Sequence, residues 1–188
     1  TTLPILSVED IVKAQFMLLS DLGIEKVHAC VGSSLGGMMS LTSAVLYPEK
    51  VGRVISISSC AQSHPSSIAM RYLQRKAIMT DPNWQQGHYY DTGLYPKMGM
   101  KLAREIATMT YRSGPEWDDR FGRKRIVEDS DPSLCPHFMI ENYLDHQGES
   151  FCMKLDPNTL LYISKAMDLF DLGETYDGLH SALSRVRC

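Results

Sequence analysis

The chain has no apolar run near the ~18 residues that a membrane-spanning helix needs, and no charged-then-apolar leader opens it. Basic residues are not in surplus. Against 22 Asp and Glu stand 19 Lys and Arg, a formal net charge of -3, whereas a nucleic-acid binder needs a basic face. The one basic run, Arg120-Phe121-Gly122-Arg123-Lys124-Arg125, is followed by Glu128, Asp129 and Asp131, and reads as a solvated loop. The five cysteines (Cys30, Cys60, Cys135, Cys152 and Cys188) are odd in number and contain no C-x-x-C pair. That argues against a disulfide framework and for a reducing compartment. The six histidines lack ligand spacing, so no metal site is expected. There is no internal repeat and no low-complexity tract. The chain opens on Thr1, not Met. The expectation is a natural N-terminus upstream and a cytoplasmic protein, or a mitochondrial one with a presequence before Thr1.

What is present is centred on Gly32-Ser33-Ser34-Leu35-Gly36-Gly37. The apolar run Val27-His28-Ala29-Cys30-Val31 precedes it and a helix-favouring run from Met38 to Leu46 follows. Strand, sharp turn and helix with G-x-S-x-G at the turn is the pattern of a nucleophile elbow. Ser34 would occupy a strained turn, with Gly32 and Gly36 allowing strand and helix to approach closely. Leu35, first in the helix, would aim its N–H at a developing oxyanion. The alternative is a glycine-rich turn holding a phosphate at the helix N-terminus. No Lys follows the glycines, which argues against a Walker-type loop.

Ser7 reads as the N-cap of a first helix, with Ile11, Ala14, Leu18 and Leu22 on its apolar stripe and Gly23 closing it. Strands are expected over 27–31 and 51–58, with the elbow helix between them ending near Tyr47-Pro48. Helix and strand alternating through short links give an α/β fold with a parallel sheet. Beyond Ser59 only helices and loops are expected, over 66–80, 99–111 (stripe Leu102, Ile106, Met109), 133–148, 158–169 and 178–187. The resulting organisation is a core segment with the elbow over 1–65, an inserted helical lid over 66–172 and a return helix over 173–188. Two strands do not make a stable sheet alone, so the pattern is that of part of a larger α/β protein.

These residues resemble the homoserine O-acetyltransferase family of the α/β-hydrolase fold. The matching pieces run in family order: Val31 to Met38, Tyr47-Pro48-Glu49-Lys50-Val51, Gln74-Arg75-Lys76-Ala77-Ile78 and Asp81-Pro82-Asn83-Trp84. Next come Gly99 to Arg104, Thr110-Tyr111-Arg112-Ser113, Tyr143 to Gly148 and Lys165 to Leu172. Ser113-Gly114-Pro115-Glu116-Trp117 looks most like members that acylate serine. The resemblance implies ping-pong transfer of an acetyl group from acetyl-CoA to the hydroxyl of homoserine or serine, in methionine or cysteine biosynthesis. Ser34 would be the nucleophile and the Leu35 N–H one oxyanion donor, the second donor lying upstream of Thr1. Arg112 would hold the substrate carboxylate, which a planar guanidinium suits. Acetyl-CoA would be a co-substrate, with no bound cofactor or metal. Partners would be small molecules and a second copy through the lid helices, with no nucleic acid or membrane.

Triad order in this fold is Ser, acid, His. In the family the acid follows the segment matching Ala182 to Val186, so acid and His are expected beyond Cys188. None of His28, His64, His88, His137, His146 and His180 matches the family's base, and His64 is the nearest substitute. Without a base a serine is a poor nucleophile, so the chain by itself is expected to be inactive. Apolar faces of the strands over 27–31 and 54–57 would be left uncovered. A carboxylic-ester hydrolase and a non-catalytic paralogue lending its helices to a dimer are the competing readings. Serine or homoserine, and acetyl or succinyl, stay open, since a methylene is worth only ~1–3 kcal/mol.

Overall fold

The computed structural model describes residues 3–134 and 136–188, so Thr1 and Cys135 of the sequence reading lie outside the described residues. Helix α1 (Val8–Asp21) starts where Ser7 can cap it. The Ser7 hydroxyl accepts the Asp10 N–H at 3.1 Å, and the Asp10 carboxylate accepts the Ser7 N–H at 2.8 Å. The helix buries Val8, Val12 and Phe16, not the expected stripe of Ile11, Ala14, Leu18 and Leu22. Leu18 and Leu22 are 59% and 65% exposed. Two apolar stripes compete on this helix. The inward one puts Phe16 on the Tyr47 ring, with centroids 4.0 Å apart.

Strands β1 (Cys30–Ser33) and β2 (Val54–Ile57) pair in parallel, Cys30 opposite Val54 and Ser33 opposite Ile57. Both begin three residues later than expected, and only a single bridge joins Val27 to Val51. The segments already run side by side there, with Gly52 N donating to the Val27 carbonyl at 3.0 Å and a Gly52 Cβ coming within 2.7 Å of the His28 carbonyl oxygen. The two chains bend together there before the ladder begins. Helix α2 (Leu35–Leu46) and α1 cover one face of the strands, with Val12, Phe16, Ala44 and Val51 buried against Cys30 and Val54. The other face stays open: Val31, Ile55 and Ile57 are 60%, 50% and 50% exposed. Helix α2 is buried along most of its length, and its inward hydroxyls are satisfied locally. Ser40, Thr42 and Ser43 donate to the carbonyls of Gly36, Met38 and Met39 at 2.8, 2.8 and 2.7 Å.

The chain divides into two compact units, one of Leu3–Ile68 with Tyr162–Cys188 and one including Ala69–Leu161. It leaves the first inside α3 (Pro65–Thr80) and returns inside α7 (Pro157–Asp168). The first unit closes with α8 (Leu179–Leu183). That helix is shorter than the expected 178–187, because Arg185 leaves it to donate Nε–H to the Val45 carbonyl at 3.1 Å.

The second unit is helical: α4 (Lys97–Met109), α5 (Gly114–Arg120) and α6 (Met139–Phe151), with a 3₁₀ segment over Pro82–Gly87. Asp81 joins α3 to α4, accepting from Asn83 N at 2.9 Å and from Gly99 N at 2.8 Å. Helix α4 buries Met100, Ala103 and Ala107, whereas Leu102 and Met109 of the expected stripe are 49% and 58% exposed. Around the fully buried Met100 the inward face is built of small residues, Gly99, Ala103 and Ala107, because the helix lies close against its neighbours. A Cβ on Gly99 would come 2.7 Å from the Ala77 carbonyl oxygen. Helix α6 starts six residues later than expected, after Pro132 and Pro136, whose rings remove donors a helix needs. It also runs past Gly148, where a Cβ would meet the Lys101 side chain of α4 at 2.5 Å. Among the described residues no helix is long and apolar enough to cross a membrane.

Candidate active site

Ser33 ends β1 and Leu35 begins α2, so the whole connection is Ser34. A one-residue turn forces an unusual backbone, and Ser34 takes φ 51° and ψ -118°. Holding a non-glycine residue in such a region costs about 1–3 kcal/mol, so the surroundings must over-determine it. They do. The Ser34 N–H donates to the Ile57 carbonyl at 3.0 Å, carrying the ladder one residue beyond β1. The Ser34 carbonyl accepts from Gly37 N at 3.0 Å, from Met38 N at 3.1 Å and from the Ser59 hydroxyl at 2.8 Å.

The glycines divide their work differently from the expectation. A Cβ on Gly32 would collide with the backbone of Gly36, which fixes glycine at 32. The Gly36 position itself faces open space. The second close approach belongs to Gly37, whose Cβ would lie 2.5 Å from the Cβ of Ser59. A one-residue connection leaves no loop to encircle a phosphate, which disfavours the phosphate-cradle alternative.

Ser34 is exposed, and its hydroxyl caps nothing and hydrogen-bonds to nothing among the described residues. The Leu35 N–H, first in α2, likewise donates to no acceptor there. A free hydroxyl and a free amide therefore sit side by side. None of the histidines hydrogen-bonds Ser34. His64 Nδ1 lies 3.2 Å from the Ser66 N–H and 2.8 Å from the Ser66 hydroxyl, and serves as a cap for α3. Accepting at Nδ1 leaves the neutral ring's proton on Nε2, so His64 is not arranged as a base for Ser34. His28, His137 and His146 are turned to Arg53, Ser130 and Ser150.

Arg112 belongs to the helical unit, in the link between α4 and α5. Its Nη1 lies 3.6 Å from Glu116 Oε1 and its guanidinium 5.7 Å from the Trp117 ring centroid. Glu116 in turn completes a capping box with Ser113, whose backbone and hydroxyl bonds hold its carboxyl below the usual range. Arg104 was not singled out by the sequence reading, although it ends the Gly99–Arg104 block. Its guanidinium lies 5.5 Å from the Tyr111 ring and 4.9 Å from the Phe151 ring. Its buried Nε has no hydrogen-bond partner, and no carboxylate pairs with it among the described residues. The same unit holds a cavity of about 530 Å³, lined by Asp81, Met98, Lys101, Leu102, Glu105 and Asp145 among others. Lys101 there pairs with Asp145 at 2.6 Å, while burial pushes the Glu105 carboxyl up.

The family model for the alpha/beta hydrolase fold matches residues 1–188. A serine O-succinyltransferase of Emericella nidulans is 64% identical over 175 residues, which cover 93% of this chain and 34% of that protein. The solved homoserine O-acetyltransferase of Bacillus anthracis superposes with a TM-score of 0.88 at 27% identity, covering 97% of this chain and 49% of that one. An acetylester hydrolase from Corynebacterium glutamicum superposes with a TM-score of 0.78 at 26% identity, covering 98% and 50%. The chain thus spans about a third of the fungal relative and half of each solved structure. It belongs to the α/β-hydrolase fold family, and within that family its likeness is to the homoserine and serine O-acyltransferases.

Proposed function

We propose that the protein carrying this chain transfers an acyl group from an acyl-CoA thioester to the hydroxyl of a small amino acid, through an ester on Ser34. The observation that carries this is the pair formed at the one-residue turn, a Ser34 hydroxyl beside a Leu35 N–H, neither of them hydrogen-bonded among the described residues. Ser34 Oγ attacks the thioester carbonyl and gives its proton to a base. The Leu35 N–H stabilises the oxyanion, and CoA leaves as the thiol after taking that proton back. The amino-acid hydroxyl then repeats the attack on the Ser34 ester. None of this chain's six histidines hydrogen-bonds Ser34, so the base is placed elsewhere in the full-length protein. On that ground residues 1–188 alone are inactive.

L-Serine is the first acceptor to test and a succinyl thioester of CoA the first donor, because the fungal relative is named for serine and for succinyl transfer. Acetyl-CoA and L-homoserine are the second pair, from the superposed Bacillus enzyme's name. For the acceptor's carboxylate, Arg112 is the residue the family resemblance offers, and Arg104 is a second candidate, with no carboxylate paired to it among the described residues. The helical unit is the segment that the sequence expects as a lid. Exposed Tyr72, Leu73, Met98 and Leu102 give it an apolar surface for a second copy.

The test is intact-protein mass spectrometry of the full-length protein with acyl-CoA alone and then with amino acid. One acyl group on Ser34, absent in Ser34→Ala and discharged by serine or homoserine, is the expected result. Discharge by water at the same rate with or without amino acid would make it an esterase. No acyl group on Ser34 overturns the reading.

A further inference from the structure

The geometry points to Ser59 as a positioning residue that aims the Leu35 N–H at the oxyanion, an inference that rests on the acyl-transfer reading above. A peptide unit is planar, so the Ser34 carbonyl and the Leu35 N–H are two ends of one rigid plate and point in opposite directions. Whatever grips the carbonyl fixes where the N–H aims. Two of the three grips on that carbonyl, Gly37 N and Met38 N, come from the helix's own first turn and move with it. The Ser59 hydroxyl, donating at 2.8 Å, is the grip that comes from outside the helix.

Ser59 is itself placed by the sheet. It follows β2 by two residues, after Ser58, which also has a positive φ of 46°. The last rung runs from Ser34 N–H to the Ile57 carbonyl at 3.0 Å. The two peptide units flanking Ser34 are therefore each tied to the same short stretch, one through Ile57 and the other through Ser59. Gly37 makes the approach possible, since any Cβ there would lie 2.5 Å from the Cβ of Ser59 and 2.8 Å from the Ser56 hydroxyl. A donor on the carbonyl also polarises the amide and strengthens its N–H as a hydrogen-bond donor. Both effects act on the oxyanion. Neither acts on the ground-state substrate or on the base that deprotonates Ser34.

Removing an oxyanion donor outright costs roughly a hundredfold to a thousandfold in kcat, so misaiming one should cost a fraction of that. The experiment compares the full-length protein with its Ser59→Ala, Ser59→Thr and Ser34→Ala variants. Active sites are titrated by the burst of CoA released on acylation, so that misfolded protein is not counted. For Ser59→Ala the expected result is an acylation rate per titrated site down about tenfold, with acyl-CoA KM within about twofold and the pH profile unmoved. Ser59→Thr, which keeps the hydroxyl, should recover most of the rate. A loss of stability alone would shrink the burst and leave the rate per site intact. A Ser59→Ala rate per site within about twofold of the parent overturns the inference while Ser34 acylation still stands. Absence of a burst in the parent itself overturns the acyl-transfer reading, and the inference with it.

Discussion

Arg112 Nη1 lies 3.6 Å from Glu116 Oε1, so the arginine that the sequence singled out already has an anion beside it. Arg104 has none among the described residues. A substrate carboxylate bound at Arg112 must compete with Glu116, whereas at Arg104 it would supply a missing partner. Losing a charge-assisted hydrogen bond is worth about 1.5–3 kcal/mol, a factor of roughly ten to a hundred. Arg104→Lys should raise KM for the amino acid by about tenfold or more and leave acylation by acyl-CoA unchanged. Arg112→Ala should change it by less than about threefold. Steady-state kinetics with the acceptor varied decide between them, and the reverse order of effects restores Arg112 as the anchor.

Gly36 and Gly37 are adjacent and both helical, yet their substitutions should differ in sign. Gly36→Ala enters open space and should stabilise the protein by about 0.5–1 kcal/mol, chiefly through the unfolded chain. Gly37→Ala drives a methyl group against Ser59 and should destabilise by about 1–3 kcal/mol despite alanine's better helix propensity. Urea denaturation of both variants measures the difference.

Asp156 ties the Tyr89–Tyr90 loop to the first turn of α7. It accepts from the Tyr89 hydroxyl, from the Tyr90 hydroxyl at 3.0 Å and from Thr159 N at 2.7 Å. Burial opposes its charge, but the bonds from Tyr89, Thr159 and Tyr90 outweigh burial and hold its carboxyl below the ordinary range. A depressed folded pKa means stability that is present above the unfolded value near ~3.9 and lost as pH falls through the folded one. Asp156→Ala should cost about 2–3 kcal/mol at pH 7, and the gap should close below about pH 4. Thermal melts across that range test it.

Glu105 carries the opposite sign. Burial raises its carboxyl, and its Oε1 has no hydrogen-bond partner among the described residues. Its nearest cation, Lys101, is 4.0 Å away and pairs more closely with Asp145 at 2.6 Å. The folded state therefore favours the protonated acid, and ionising it as pH rises above ~4.3 works against folding. Glu105→Gln should raise Tm at pH 7 and make no difference near pH 4. A lower Tm at pH 7 would show that the long contact to Lys101 matters more than burial.

What the sequence made legible was local chemistry. Ser7 with Asp10, and the Gly32 to Gly37 turn, announce themselves through spacing alone, and the structure builds both. Choices between equivalent local answers were hidden. Helix α1 offers Val8-Val12-Phe16 and Ile11-Leu18-Leu22, and only the packing of Tyr47 decides which turns inward. The side-by-side run ahead of the β1–β2 ladder has Gly52 N meeting the Val27 carbonyl, a contact between distant positions. Helix α5 buries no residue, so periodicity could not find it; its signals were Ser113 and Glu116, three apart, and Pro115 in the first turn. Arg104 was hidden because a guanidinium without a carboxylate partner looks the same in sequence as one that has it.

The one-residue connection at Ser34 leaves this part of the chain no slack in length. One more residue there would turn α2 by about 100° on its axis, carrying Met38, Ala44 and Val45 away from the core. One fewer would turn it as far the other way. Between Cys30 and Leu46 the chain can therefore vary in side chains but not in count, and insertions and deletions must fall in connections such as 121–138.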